Sequence, residues 1–109
     1  MTVNELLTRT NLTAAALPDG DREVTGVYIG DLLSWVMGRA QSGDAWITIM
    51  SNVNIVAVAS LADVACVVLA EGVVPDENVR ATAEAKGINL YTSEKTAYQL
   101  AAALAGLLK

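Results

Sequence analysis

The chain contains no histidine and no phenylalanine, and cysteine occurs once. Without histidine, the Ser-His and Cys-His nucleophile systems, most zinc sites and the commonest general base are excluded. An enzyme would have to work with carboxylates or lysine. Those must come from seven basic and twelve acidic residues, most of which pattern as ordinary helix surface. We expect no catalytic activity, no metal and no cofactor. The lone Cys66 rules out an intrachain disulfide framework and fits a reducing compartment. No apolar run reaches the roughly 18–20 residues that cross a bilayer, and Met1-Thr2-Val3-Asn4-Glu5 lacks the basic head of a signal peptide. A cytoplasmic protein is the expectation. The net charge of −5 also leaves no basic footprint for nucleic acid or an anionic membrane.

Apolar residues are abundant, at 53% of 109 positions, although only two tryptophans and three tyrosines are aromatic. Alanine and valine therefore carry much of the packing. The length fits one domain, residues 1–109, with a single core.

Along the chain, Thr2-Val3-Asn4-Glu5 has capping-box spacing, and Val3, Leu6 and Leu7 give the following helix an apolar stripe. Leu17-Pro18-Asp19-Gly20-Asp21 is turn chemistry. Residues 23–29 read as a first strand, in which Gly26 marks a bulge or a close backbone approach. Asp31 is placed to cap a helix carrying Leu32, Leu33, Val36 and Ala40 on one face. Residues 45–50 (AWITIM) read as a second strand. The β-branched run from Ile55 is open between helix and strand on propensity alone, and alternation along the chain favours a helix starting near Asn54. A third strand follows at 66–70, apolar throughout, as suits burial on both faces of a parallel sheet. Pro75-Asp76-Glu77 opens a helix that Gly87 closes. Residues 88–91 read as a fourth strand, and Ser93 is placed to cap a last helix with Ala97, Leu100, Ala101, Leu104, Leu107 and Leu108 as its stripe. The expected architecture is a three-layer α/β/α domain with a mainly parallel four-stranded sheet and an extra N-terminal helix.

In open parallel sheets ligands bind beyond the carboxyl ends of the strands, near a topological switch point. Those ends are Gly30-Asp31, Ser51-Asn52-Val53-Asn54, Glu71-Gly72 and Thr92-Ser93, all short and polar. Helix N-termini opening on the same rim offer unpaired N–H groups. The candidate ligand-binding residues are therefore Asp31, Asn52, Asn54, Glu71, Gly72, Thr92 and Ser93, and a small polar or anionic ligand suits them. Asp31, Asn54 and Ser93 also read as plain helix caps, and Glu71-Gly72 as a turn; Asn52 fits a cap less obviously. Cys66, inside an apolar strand, reads as a small hydrophobe. Gly20-Asp21-Arg22 stands outside any Gly-Lys-Ser/Thr phosphate loop, and Gly26 to Gly30 lacks the spacing of a dinucleotide fingerprint.

Asp21-Arg22-Glu23-Val24-Thr25-Gly26, continuing through Gly30-Asp31-Leu32-Leu33-Ser34, resembles the DRTGG-type domain family. Asn54-Ile55-Val56-Ala57-Val58-Ala59, Ala70-Glu71-Gly72 and Pro75-Asp76-Glu77 extend the likeness over residues 20–100. It is nearest to short stand-alone bacterial members, which are similar to the N-terminal domain of HPr kinase/phosphorylase. Related domains accompany CBS pairs and phosphotransacetylase-type proteins in regulatory roles. The resemblance implies a non-catalytic regulatory or sensory domain that binds a small ligand, with nucleotide-like compounds among the candidates, and acts through a signalling or metabolic protein partner. A protein–protein interaction module without a small ligand is the alternative. A homodimer is expected as well, because the apolar content is generous for so small a domain and Trp35, Met37 and Tyr98 fall beside their helix stripes.

Overall fold

The computed structural model describes residues 1–108, along which helices and strands alternate. In chain order they are α1 (Val3–Thr10), β1 (Thr13–Ala16), β2 (Gly26–Ile29), α2 (Leu33–Arg39), β3 (Asp44–Thr48), α3 (Asn54–Ala62), β4 (Cys66–Leu69), α4 (Glu77–Ala85), β5 (Leu90–Thr92) and α5 (Ala97–Leu107). The strands form one sheet in the order β1-β5-β4-β3-β2. Strands β2 to β5 are parallel neighbours in sequence order, and β1 pairs antiparallel with β5. The sheet thus has five strands among the described residues, where periodicity predicts four. The extra strand, TAAA, carries no alternation and little β-propensity. It exists because the free edge of β5 accepts it, with Thr13 opposite Thr92 and Ala14 opposite Tyr91.

Parallel strands added one after another in the same direction require right-handed crossovers, and these put every connecting helix on one face. Helices α2, α3 and α4 accordingly bury Val36, Ile55, Val56, Ala59, Val79 and Ala83 against Trp46, Val67, Leu69 and Leu90. Alternate strand residues Ala45, Ile47, Cys66, Val68 and Tyr91 point to the opposite face, where they meet Val3 and Leu6 of α1 and Leu100 and Leu104 of α5. The result is the three-layer α/β/α arrangement. β3 and β4 are buried along their whole length, and β4 is apolar throughout. The buried Asp44 and Thr48 at the ends of β3 are hydrogen-bonded, Asp44 accepting from Gln41 N–H and Thr48 donating to Asp31.

Local signals decide most element ends, with four exceptions. The Thr2–Glu5 capping box forms in both directions. Of the stretch read as a first strand, only Gly26–Ile29 joins the sheet. The preceding residues pair instead with the N-terminus, where Val24 N–H donates to Met1 O and Val3 N–H to Arg22 O. Gly26 is the close approach that its position implies, since a Cβ there would sit 2.5 Å from Asp44 Oδ1. Asp31 does not cap α2, which starts after Leu32 with no side-chain cap. Asn54 is the first residue of α3, and the N-cap position is Val53. The run 54–62 is helical despite its β-branched residues, for it must cross from β3 to β4.

Ser93 likewise does not cap α5. Thr96 does, through Thr96 Oγ1 accepting from Gln99 N–H while the Gln99 side chain accepts from Thr96 N–H. Thr96→Ala should therefore cost about 1 kcal/mol in urea unfolding, the usual worth of an N-cap hydroxyl. Ser93→Ala should cost clearly less; equal losses would return the cap to Ser93.

Candidate functional site

Loops β4–α4 and β5–α5 leave adjacent strands toward opposite faces of the sheet. Strand order does not reverse among the parallel strands, so this divergence is where a crevice opens at the carboxyl edge. A cleft of 270 Å³ lies there, lined by Gly72, Val73 and Val74 from the first loop and by Thr92, Ser93, Glu94 and Lys95 from the second. Asn11 and Thr13 complete it. They arrive because β1 runs antiparallel to β5, which brings its start to the rim where β5 ends.

Backbone bonds between the loops fix this rim. Glu71 N–H donates to Lys95 O at 2.8 Å and Gly72 N–H to Ser93 O at 2.9 Å. To make both, Glu71 and Gly72 take left-handed conformations, with φ of 63° and 76°. Glycine does so freely, whereas Glu71 pays roughly 1 kcal/mol of steric strain. The free space above Gly72 is occupied by the Glu94 carboxylate, whose Oε2 lies 3.0 Å from where a Cβ would stand. Ser93 Oγ accepts from Lys95 N–H at 3.1 Å, shaping the turn before α5. The cleft therefore combines hydroxyls, an amide, one ammonium and one carboxylate.

Gly72, Thr92 and Ser93 of the expected residues line this cleft, and Glu71 adjoins it. The other three sit along the rim toward β2. Asp31 Oδ1 accepts from Thr48 Oγ1 at 2.8 Å and Ile49 N–H at 3.0 Å, pinning the β2–α2 turn to the end of β3. Asp31 and Glu71 share a shallow hollow with Ile29, Ile49 and Ala97. Asn52 Oδ1 accepts from Asn54 N–H at 2.9 Å, so Asn52 is a turn former at the start of α3, a role its spacing disguised. Asn54 lines an apolar groove between α3 and α4 with Val53, Ala57 and Leu61. Residue-level reading missed Asn11, Thr13, Glu94 and Lys95. The last two adjoin Ser93 in sequence and were within reach; the first two depend on a strand with no local signature.

Cys66 is fully buried, and burial pushes its thiol up to about 12, so it behaves as an apolar core residue. Among the described residues no three metal-ligating side chains converge, and every buried side-chain nitrogen or oxygen has a partner. Among the described residues no helix is long and apolar enough to cross a membrane.

No family model matches the chain, and no curated protein matches it. Among solved structures, the CBS and DRTGG domains of the regulatory region of Clostridium perfringens pyrophosphatase, complexed with the activator diadenosine tetraphosphate, superpose with a TM-score of 0.73 at 14% identity. The match covers 94% of this chain and 45% of that one, so the chain spans less than half of the regulatory region it resembles. At that identity the likeness establishes the fold. The chain has the α/β architecture found in that CBS–DRTGG region.

Proposed function

We propose that the chain is a non-catalytic regulatory domain of the DRTGG type, which senses a small polar or anionic ligand in the β4–β5–β1 crevice. The crevice itself carries this reading: three segments distant in sequence converge at the point where the sheet's connections diverge, and they bring six polar side chains together beside Val73 and Val74. Thr13, Thr92 and Ser93 supply hydroxyls, Asn11 an amide, Lys95 a cation for an anionic group, and Glu94 an acceptor for a ligand hydroxyl or amine. The absence of histidine and the regulatory setting of the structural neighbour both favour sensing over catalysis. The volume lies at the low end for small-molecule sites, which favours a ligand no larger than a mononucleotide fragment, an acyl phosphate or a small acid. Glu71 and Gly72 position the floor, and Asp31, Asn52 and Asn54 extend the rim along β2 and β3. A cytoplasmic setting, a signalling or metabolic partner that reads the ligand state, and kinship with the N-terminal domain of HPr kinase/phosphorylase belong to the same proposal.

A thermal-shift screen over nucleotides, acyl phosphates and small anions tests it. A specific ligand at 100 times its Kd should stabilise the fold by ~2.7 kcal/mol. Lys95→Ala should remove most of that gain. A panel with no stabilising compound would point to the second reading, an interaction module without a small ligand. The observation behind that reading is the apolar groove between α3 and α4, where Leu61 and Val53 stand exposed.

A further inference from the structure

Strand β2 ends the sheet with a single strand neighbour, β3, and an unpaired outer edge is normally shortened, charged or covered. Here no charge blunts it. Beside it runs a trough of 590 Å³ lined by Val27, Tyr28, Ile29, Ala101, Ala105 and Leu108, with Thr25 and Gly26 at one end. None of these side chains is a carboxylate, an ammonium or a guanidinium. Past Ile29 the trough gives way to the hollow with Ile47, Ile49 and Ala97, where the carboxylates of Asp31 and Glu71 end the uncharged strip. Ala97, Ala101 and Ala105 recur every fourth residue, so α5 presents a shallow channel along the strand edge. Ile29, 48% exposed, stands up from its floor.

From this we infer that two copies of the chain pair through the β2 edge and the adjoining face of α5, about a two-fold axis. Charge selects a second copy as the occupant. A two-fold contact sets each residue near its own counterpart, so any charge at its centre would face its like. On a chain of net charge −5, this uncharged strip can meet itself without that repulsion. Shape agrees: the Ile29 ridge of one copy has the partner's alanine channel to enter. The backbone agrees too, since a two-fold axis sets the two identical edges antiparallel, and the N–H and C=O groups of each then face the C=O and N–H groups of the other.

The residues whose sequence positions hint at an interface do not share one face of the molecule. Trp35 and Met37 belong to α2 and Tyr98 to α5, on opposite faces of the sheet, so no single helical surface holds them. Trp35 already has the Arg39 guanidinium over its ring, 3.7 Å from the centroid.

Sedimentation equilibrium of the full chain at micromolar concentration is the test. The wild type should show dimer mass. Ile29→Lys and Ala105→Glu should each weaken association by roughly 100-fold, because a two-fold contact buries every new charge twice. Ala102→Glu, on the outward side of the same helix, should leave it unchanged. Both disruptive positions are exposed, and should Ile29→Lys fail to fold, Ala105→Glu carries the comparison alone. Monomer mass throughout, or dimerisation that survives the substitution in a folded variant, overturns the proposal.

Discussion

Trp46→Ala is expected to destabilise the fold by roughly 3–5 kcal/mol, the range for deleting a large buried aromatic. Trp46 lies in the middle of β3, is 0% exposed, and packs in the cluster beneath α2, α3 and α4. No phenylalanine exists elsewhere to share the load, and the surrounding alanines and valines are too small to fill the void. The ring also has a polar role. Trp46 Nε1–H donates to Gly30 O at 2.9 Å, while Gly30 N–H donates to Ile47 O at 3.2 Å, so the end of β2 is held by both. Trp46→Phe separates the two contributions. It keeps most of the apolar volume but leaves the Gly30 carbonyl unpartnered, and should cost about 1–3 kcal/mol. Against a total stability of about 5–15 kcal/mol for a domain of this size, the alanine variant should unfold at a markedly lower urea midpoint. A loss under about 1 kcal/mol for Trp46→Ala would show that the core refills the space, contrary to the packing described.

Asn89→Leu is expected to cost roughly 2–4 kcal/mol although leucine is the more apolar residue. Asn89, 2% exposed, makes three hydrogen bonds from one amide. Its Nδ2 donates to Asp19 O at 2.8 Å and to Ala65 O at 2.9 Å, and its Oδ1 accepts from Asp19 N–H at 2.9 Å. The side chain thereby staples the turn before β2 onto the amino ends of β4 and β5. Leucine fits the volume but strands three backbone groups in a part-buried setting, where each orphan costs about 1–3 kcal/mol unless water replaces the partner. Asn89→Asp is the sharper comparison, since it turns acceptors toward two carbonyls and should be at least as damaging at neutral pH. Equal stability of wild type and Asn89→Leu in urea titrations would mean that water already serves those groups.

These two residues mark where residue patterns suffice and where they stop. Trp46 falls in the β-branched, apolar run 45–50 that reads as a strand from local pattern alone. Asn89, by contrast, interrupts an apolar strand, and nothing nearby explains it; both Asp19 and Ala65 are remote in sequence. The same division runs through the candidate site. Glu71, Gly72, Thr92 and Ser93 could be named because a polar break after an apolar strand marks a carboxyl end. Asn11 and Thr13 could not, because their place in the cleft follows from the pairing of β1 with β5. Thr96-Ala97-Tyr98-Gln99 has capping-box spacing, a local signal that places the cap three residues beyond Ser93.

What the sequence by itself determined is the class of the domain and the identity of its four parallel strands and five helices. Hydrophobic periodicity, caps and turn residues act over a few neighbouring positions, so they survive without knowledge of the rest of the chain. The same locality let composition alone exclude histidine chemistry and an intrachain disulfide. Tertiary structure alone decided the fifth strand, the order of the sheet and the open β2 edge. It also decided which rim loops diverge to form a cleft. Each of these depends on backbone hydrogen bonds and apolar faces meeting across the whole chain, and a strand such as Thr13–Ala16 has no reason to be extended until β5 offers it an edge.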